Sequence, residues 1–272
     1  MLPFRLATCL SLVLLSLGGP VKATEPTPDD CNRLSDLGVP QYADLVLCKR
    51  AFLVGYSYQT KTPAWTIERM SRTRIPISRG EESGSFAPDV AIPLIHRAAL
   101  VDYTGSGFDR GHLVAAGNHV DDAIALAETY LFSNVAPQVG SGFNRGIWKS
   151  LEEAVRNYAQ CSDDLYVITG VYFPKDATTM RFIGAGRVGV PLGFYKVLYE
   201  PKKNRMIAFI AKNEPHRRVG LASLATSVDA VESVSGQTFF DQLPSSLSAK
   251  IKSIAPNMEW TIAQEGGRCV IQ

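Results

Sequence analysis

The chain has 272 residues, 46% of them hydrophobic, with 28 basic and 26 acidic side chains. A balance this close excludes a protein that binds nucleic acid through bulk positive charge, so any phosphate binding must come from a local arginine cluster. Beyond the N-terminal segment, no stretch approaches the ~20 consecutive apolar residues of a membrane-spanning helix.

Met1 to Ala23 reads as a secretory signal: Arg5, a mostly apolar run from Leu6 to Leu17, then Gly18-Gly19-Pro20 and the small-residue close Val21-Lys22-Ala23. Cleavage there starts the mature chain at Thr24 and removes Arg5 and Lys22 but no acid, so its net charge is near zero. A secreted or periplasmic location follows. Cys9 leaves with the signal. Cys31, Cys48, Cys161 and Cys269 remain, an even number bound for an oxidising compartment. Four cysteines allow three pairings. The favoured one joins Cys31 to Cys48 across a local loop and Cys161 to Cys269, tying down the tail. No Cys-x-x-Cys pair occurs, which argues against zinc. Residues 24–48 read as a leader carrying the first disulfide loop, and residues 49–272 as a single domain, with no repeat and no linker inside it.

Along that domain, β-branched and aromatic content marks strands at Ala51 to Gln59, Leu165 to Phe173, Gly193 to Tyr199 and Met206 to Ala211. The last two, joined by Pro201-Lys202-Lys203-Asn204, predict an antiparallel hairpin. Helical patterns cover Asp121 to Tyr130, Ile147 to Tyr158 and Ser227 to Ser233. In the second, Ile147, Trp148, Leu151, Ala154, Val155 and Tyr158 form one apolar stripe and charge covers the other face. Strands and helices do not alternate strictly, so the expected fold is α+β, with a central antiparallel β-sheet flanked by helices. Trp65 and Trp148 are expected in the core.

Site-like residues concentrate in Gly105-Ser-Gly-Phe-Asp109-Arg110-Gly111-His112-Leu113, followed by Asn118-His119. Phosphodiester hydrolysis needs a base for water, cations for the phosphoryl oxygens and help for the leaving oxygen. In an extended segment Arg110 and His112 share a face, because strand side chains alternate with period two. Taken alone, Asp109-Arg110 is equally an ion pair and His112 a structural histidine. A second cluster tips the balance: Phe132-Ser-Asn134-Val-Ala-Pro-Gln138, then Phe143-Asn144-Arg145-Gly146-Ile147-Trp148-Lys149-Ser150-Leu151-Glu152, with Arg156 four residues on. Asn144 at a helix start also suits a plain N-cap, and Glu152 with Arg156 a plain surface pair. Yet Asn144, Glu152 and Arg156 fall in one broad helical sector, where a neutral amide oxygen plus waters suits Mg²⁺.

These three ordered blocks resemble the DNA/RNA non-specific endonucleases of the ββα-metal, or His-Me finger, type, and within them the endonuclease G branch. The resemblance spans about residues 50–245, including Ser227 to Phe240. It implies His112 as general base, Asn144 as the one direct protein ligand of Mg²⁺ or Mn²⁺, and Arg110, Asn134, Glu152 and Arg156 as the supporting shell. It further implies DNA and RNA as substrates, cut to 5′-phosphate and 3′-hydroxyl ends with little sequence preference. No membrane partner is implied once the signal is cleaved, and a homodimer is compatible with the resemblance. Asp109 is assigned to orientation. One departure stands out: the Phe86-Ala-Pro-Asp89 element lacks the arginine often found just ahead of it, leaving Arg69, Arg72, Arg74 and Arg79 as candidates. His96, His119 and His216 are given no chemical role. The alternatives are a catalytically silent binding module on the same scaffold, against which intact His112 and Asn144 argue, and a DNA-only or exonucleolytic relative.

Overall fold

The computed structural model describes residues 28–75, 83–217 and 219–254. The expected signal and Cys269 lie outside them. Eleven strands are present among these residues: β1 (Leu45–Cys48), β2 (Phe52–Ser57), β3 (Thr62–Met70), β4 (Asp109–His112), β5 (Val135–Gln138), β6 (Leu165–Tyr172), β7 (Arg181–Ile183), β8 (Val188–Val190), β9 (Gly193–Glu200), β10 (Arg205–Lys212) and β11 (Ala225–Thr226). The helices are α1 (Pro28–Ser35), α2 (Leu100–Tyr103), α3 (Ala123–Thr129), α4 (Lys149–Ala159), α5 (Val228–Ser235) and α6 (Ser245–Lys252).

Seven strands form one sheet in the order β1-β2-β3-β6-β9-β10-β11, with every neighbouring pair antiparallel. The hairpin β9–β10 turns at Asn204, whose φ of 45° is a left-handed conformation that asparagine tolerates. The central strands are apolar on both faces, because helices cover both. From β6, Leu165, Val167 and Val171 pack with Leu151, Val155 and Tyr158 of α4. Tyr166 and Ile168 point the other way, among Leu34 of α1, Val228 and Val231 of α5 and Ile251 of α6. The fold is α+β as expected, with Trp65 and Trp148 fully buried.

The predicted helices sit where the periodicity placed them. Asp122 caps α3 through Ile124 and Ala125, and Ser227 caps α5 through Ala230. The segment read as a leader instead supplies α1 and the edge strand β1, joined by the Cys31–Cys48 disulfide with Cα atoms 5.8 Å apart. Strand β3 escaped the sequence reading because Pro63, Glu68 and Arg69 break its apolar alternation; it nevertheless lies near the centre of the sheet, between β2 and β6. Between β3 and β6 the chain leaves the sheet, builds the ribbon β4–β5, runs through α4 and returns. The site lies on that excursion.

Candidate active site

Strands β4 and β5 pair antiparallel with His112 opposite Val135 and Gly111 opposite Ala136. Arg110 and His112 share a face, as period two requires, and both reach the Phe86 ring, the guanidinium carbon at 4.6 Å and the imidazole at 5.3 Å from its centroid. Tyr130 stands edge-on to the imidazole at 4.9 Å. Glycine is required between them, because a Cβ at Gly111 would lie 2.0 Å from Cδ of the buried Gln138.

The segment leading to α4 is not regular helix. Gly142 has φ of +82° and Gly146 breaks the helical dihedrals again, so Asn144 sits in a loop-like turn rather than at the cap the sequence suggested. Its backbone N–H donates to Val139 at 2.9 Å. Its side-chain amide donates to Asp109 Oδ2 at 2.9 Å, and Arg145 pairs with the same carboxylate oxygen. Asp109 thus holds the amide by its nitrogen and leaves the oxygen as the group available to a cation. In α4, Leu151, Ala154, Val155 and Tyr158 are buried, which turns Glu152, Glu153 and Arg156 the other way.

His112, Asn144, Glu152 and Arg156 line one open cleft of about 630 Å³, with Arg145, Lys149 and Glu153. Arg110 borders an adjoining groove with Phe86, Phe108 and Asp109, and Asn144 and Arg145 belong to both. His112 Nε2 is buried and has no hydrogen-bond partner. Burial, and then the nearby Arg110 charge, push the imidazole down to about 4, so it is neutral at pH 7.

Asn134 departs from the expectation. It is fully buried; its side-chain oxygen accepts from the Val114 N–H, and its nitrogen donates to the carbonyls of Val114 and Thr129. The amide is consumed in fastening the chain just beyond His112 and does not line the cleft. Of the four upstream arginines, Arg69 is paired with Asp164 at 2.5 and 2.6 Å and Arg72 with Asp163, neither they nor Arg74 line the cleft, and Arg79 lies outside the described residues. His96 stacks on Tyr58, His216 bonds the Lys212 carbonyl, and His119 lies 3.6 Å from Glu68, all apart from the cleft lining. The sequence reading missed Lys149 and Arg145, although adjacency to Asn144 was a signal for the latter, and it missed Phe86 and Tyr130 as walls of the histidine.

Among the described residues no three His, Cys, Asp or Glu side chains gather as a metal cage. What the cleft offers is one amide oxygen with carboxylates nearby. Such a sparse, all-oxygen set fits Mg²⁺ or Mn²⁺, which keep much of their hydration, better than zinc.

The family described as DNA/RNA non-specific endonuclease matches residues 32–246. Nuclease C1 of Cunninghamella echinulata var. echinulata is 33% identical over 218 residues, covering 76% of this chain and 86% of the relative. Mitochondrial endonuclease G of Caenorhabditis elegans is 36% identical over 205 residues, covering 71% of this chain and 67% of the relative. A chain solved in the EndoG/EndoGI inhibitory complex superposes with a TM-score of 0.74 at 29% identity, covering 80% of this chain and 94% of that one. These relatives also correct one expectation. Several are named mitochondrial, which runs against the expected secreted or periplasmic location. A histidine beside an asparagine and arginines in one cleft, on a fold and sequence shared with these nucleases across most of its length, leaves one assignment: the chain belongs to the DNA/RNA non-specific endonuclease family.

Proposed function

We propose that this nuclease hydrolyses DNA and RNA in the cleft between β4 and α4, with His112 as general base and Asn144 as the protein ligand of a Mg²⁺ or Mn²⁺ ion. The observation that carries the reading is that His112, Asn144, Glu152 and Arg156 line one and the same cleft. A base must be neutral to accept a proton, and the lowered pKa keeps this imidazole so at pH 7.

In the reaction, a water gives its proton to the His112 imidazole as its oxygen forms a bond to phosphorus in line with the departing 3′ oxygen. The P–O3′ bond breaks and the 3′ oxygen takes a proton from solvent, which leaves 5′-phosphate and 3′-hydroxyl ends. When bound at Asn144, the cation supplies positive charge to the leaving oxygen. Arg156 holds a phosphoryl oxygen through charge-assisted hydrogen bonds. Glu152 accepts hydrogen bonds from water in the cleft, and Arg110 places positive charge along the adjoining groove. Asp109 orients Asn144 by the hydrogen bond described above. Charged groups aimed at phosphates carry no sequence information, in keeping with low sequence preference.

The test is digestion of circular plasmid DNA and of RNA by the purified full chain, with Mg²⁺ and with EDTA. Both substrates should be degraded with Mg²⁺ and spared with EDTA; cutting of the closed circle establishes endonucleolytic action. Folded protein that spares both substrates, or that cuts equally well in EDTA, would overturn the proposal.

A pH profile follows from the histidine. Since its ordinary value of ~6.5 is lowered to about 4, kcat/KM should stay on its plateau through mildly acidic pH and fall only as pH drops through about 4. Arg110→Ala removes one of the two causes and should move that limb upward. A wild-type limb near 6.5 would show that the free enzyme does not hold the ring as described.

A further inference from the structure

Two charged side chains lie buried on the α4 face of the sheet. Glu68 on β3 is 2% exposed and Lys196 on β9 is likewise 2% exposed. Burying charges costs several kcal/mol per ion unless each finds partners, so what they hold is informative. Lys196 donates to Thr169 Oγ1 at 2.7 Å and to the Leu113 carbonyl at 3.4 Å, bracing the chain next to His112. Glu68 accepts from the Asn118 amide nitrogen at 2.9 Å. The oxygen of that same amide accepts from Arg156 Nε at 2.8 Å. Asn118 is itself 4% exposed, so both ends of its amide are engaged away from solvent.

We infer that Glu68 and Asn118 form a buried anchor that fixes the Arg156 guanidinium for a substrate phosphate, Asn118 acting as a positioning residue for the cleavage reaction. The inference rests on the reading of the cleft given above. An amide is the side-chain group that presents a donor and an acceptor at opposite edges, and so can join a carboxylate to a guanidinium. Its interposition also matters electrostatically. A carboxylate touching Arg156 directly would take up its donors and most of its charge, whereas a neutral spacer keeps the carboxylate at a distance. Nε is tied to Asn118, which leaves the terminal nitrogens of the fork as the donors Arg156 can offer to the cleft that it lines. The sheet, through Glu68, thereby sets the angle of a side chain whose own helix fixes only its root.

A double-mutant cycle on DNA affinity tests this. Binding of a short DNA duplex is measured across a range of salt concentrations in the His112→Ala background, with Asn118→Ala, Arg156→Ala and both together. Each single replacement should weaken binding by about 3- to 10-fold and lower the salt slope by about one. The pair should be no worse than Arg156→Ala alone, since the anchor has nothing left to hold. Effects that multiply, or an unchanged affinity and slope in Asn118→Ala, would overturn the anchor, and so would an Arg156→Ala that binds as before. A general loss of packing would not reproduce the non-additivity. Thermal melting identifies a variant that has not folded; there Asn118→Leu fills the space, removes the same two hydrogen bonds and carries the same expectation. Failure of the anchor leaves the plasmid and RNA digestion by the unaltered chain untouched, so the two readings fail separately.

Discussion

Replacing His112 by alanine should slow cleavage of plasmid DNA by about 10²- to 10⁴-fold, the usual share of a general base. Stability should change by no more than about 1–2 kcal/mol. The ring packs between Phe86 and Tyr130, and its removal loses those contacts. It also removes a buried nitrogen that has no partner, which partly offsets the loss. DNA affinity should hold, because the arginines and Lys149 of the cleft remain. Initial rates, duplex binding and thermal melting on one preparation separate these effects. A variant that cleaves within a few-fold of the original would remove His112 from the role of base.

If Asn144 holds the cation as proposed, Asn144→Ala should reduce cleavage at least about 100-fold and raise the Mg²⁺ concentration needed for half the maximal rate. Asp109→Ala should act in the same direction but more weakly, by about 10- to 100-fold, as outer-shell partners do. On the proposed reading its carboxylate acts through the amide that would hold the ion, and it also pairs with Arg145. Magnesium titrations of the two variants give the order. If Asn144→Ala kept the original magnesium dependence, the cation would have to be held elsewhere in the cleft.

Much of this arrangement was legible in the sequence, and what was hidden has physical causes. Helix α4 was visible because its apolar residues repeat at helical spacing, and the β9–β10 hairpin because two apolar runs flank a turn. The ribbon β4–β5 was hidden, since its eight residues are short of the length and apolar content that mark a strand. His112 and Asn144 were found through their surrounding motifs, and their meeting in one cleft needed the fold. Asn134 shows the limit from the other side: an amide that serves a substrate and one that serves backbone groups at Val114 and Thr129 look alike in a sequence. Asn118 stood in the site-like cluster, but its link to Glu68 was out of reach for a related reason. They lie 50 positions apart, and a lone glutamate in a strand announces neither its burial nor its partner.

The excursion that builds the cleft leaves the sheet at the end of β3 and re-enters it at β6, and those two strands are hydrogen-bonded neighbours. The whole reactive element is therefore a closed loop clasped at its base by adjacent strands, roughly 5 Å apart. It cannot fray from an end as a terminal segment can. The two strands that clasp it lie near the middle of the molecule, so its ends are held by some of the structure's most protected hydrogen bonds.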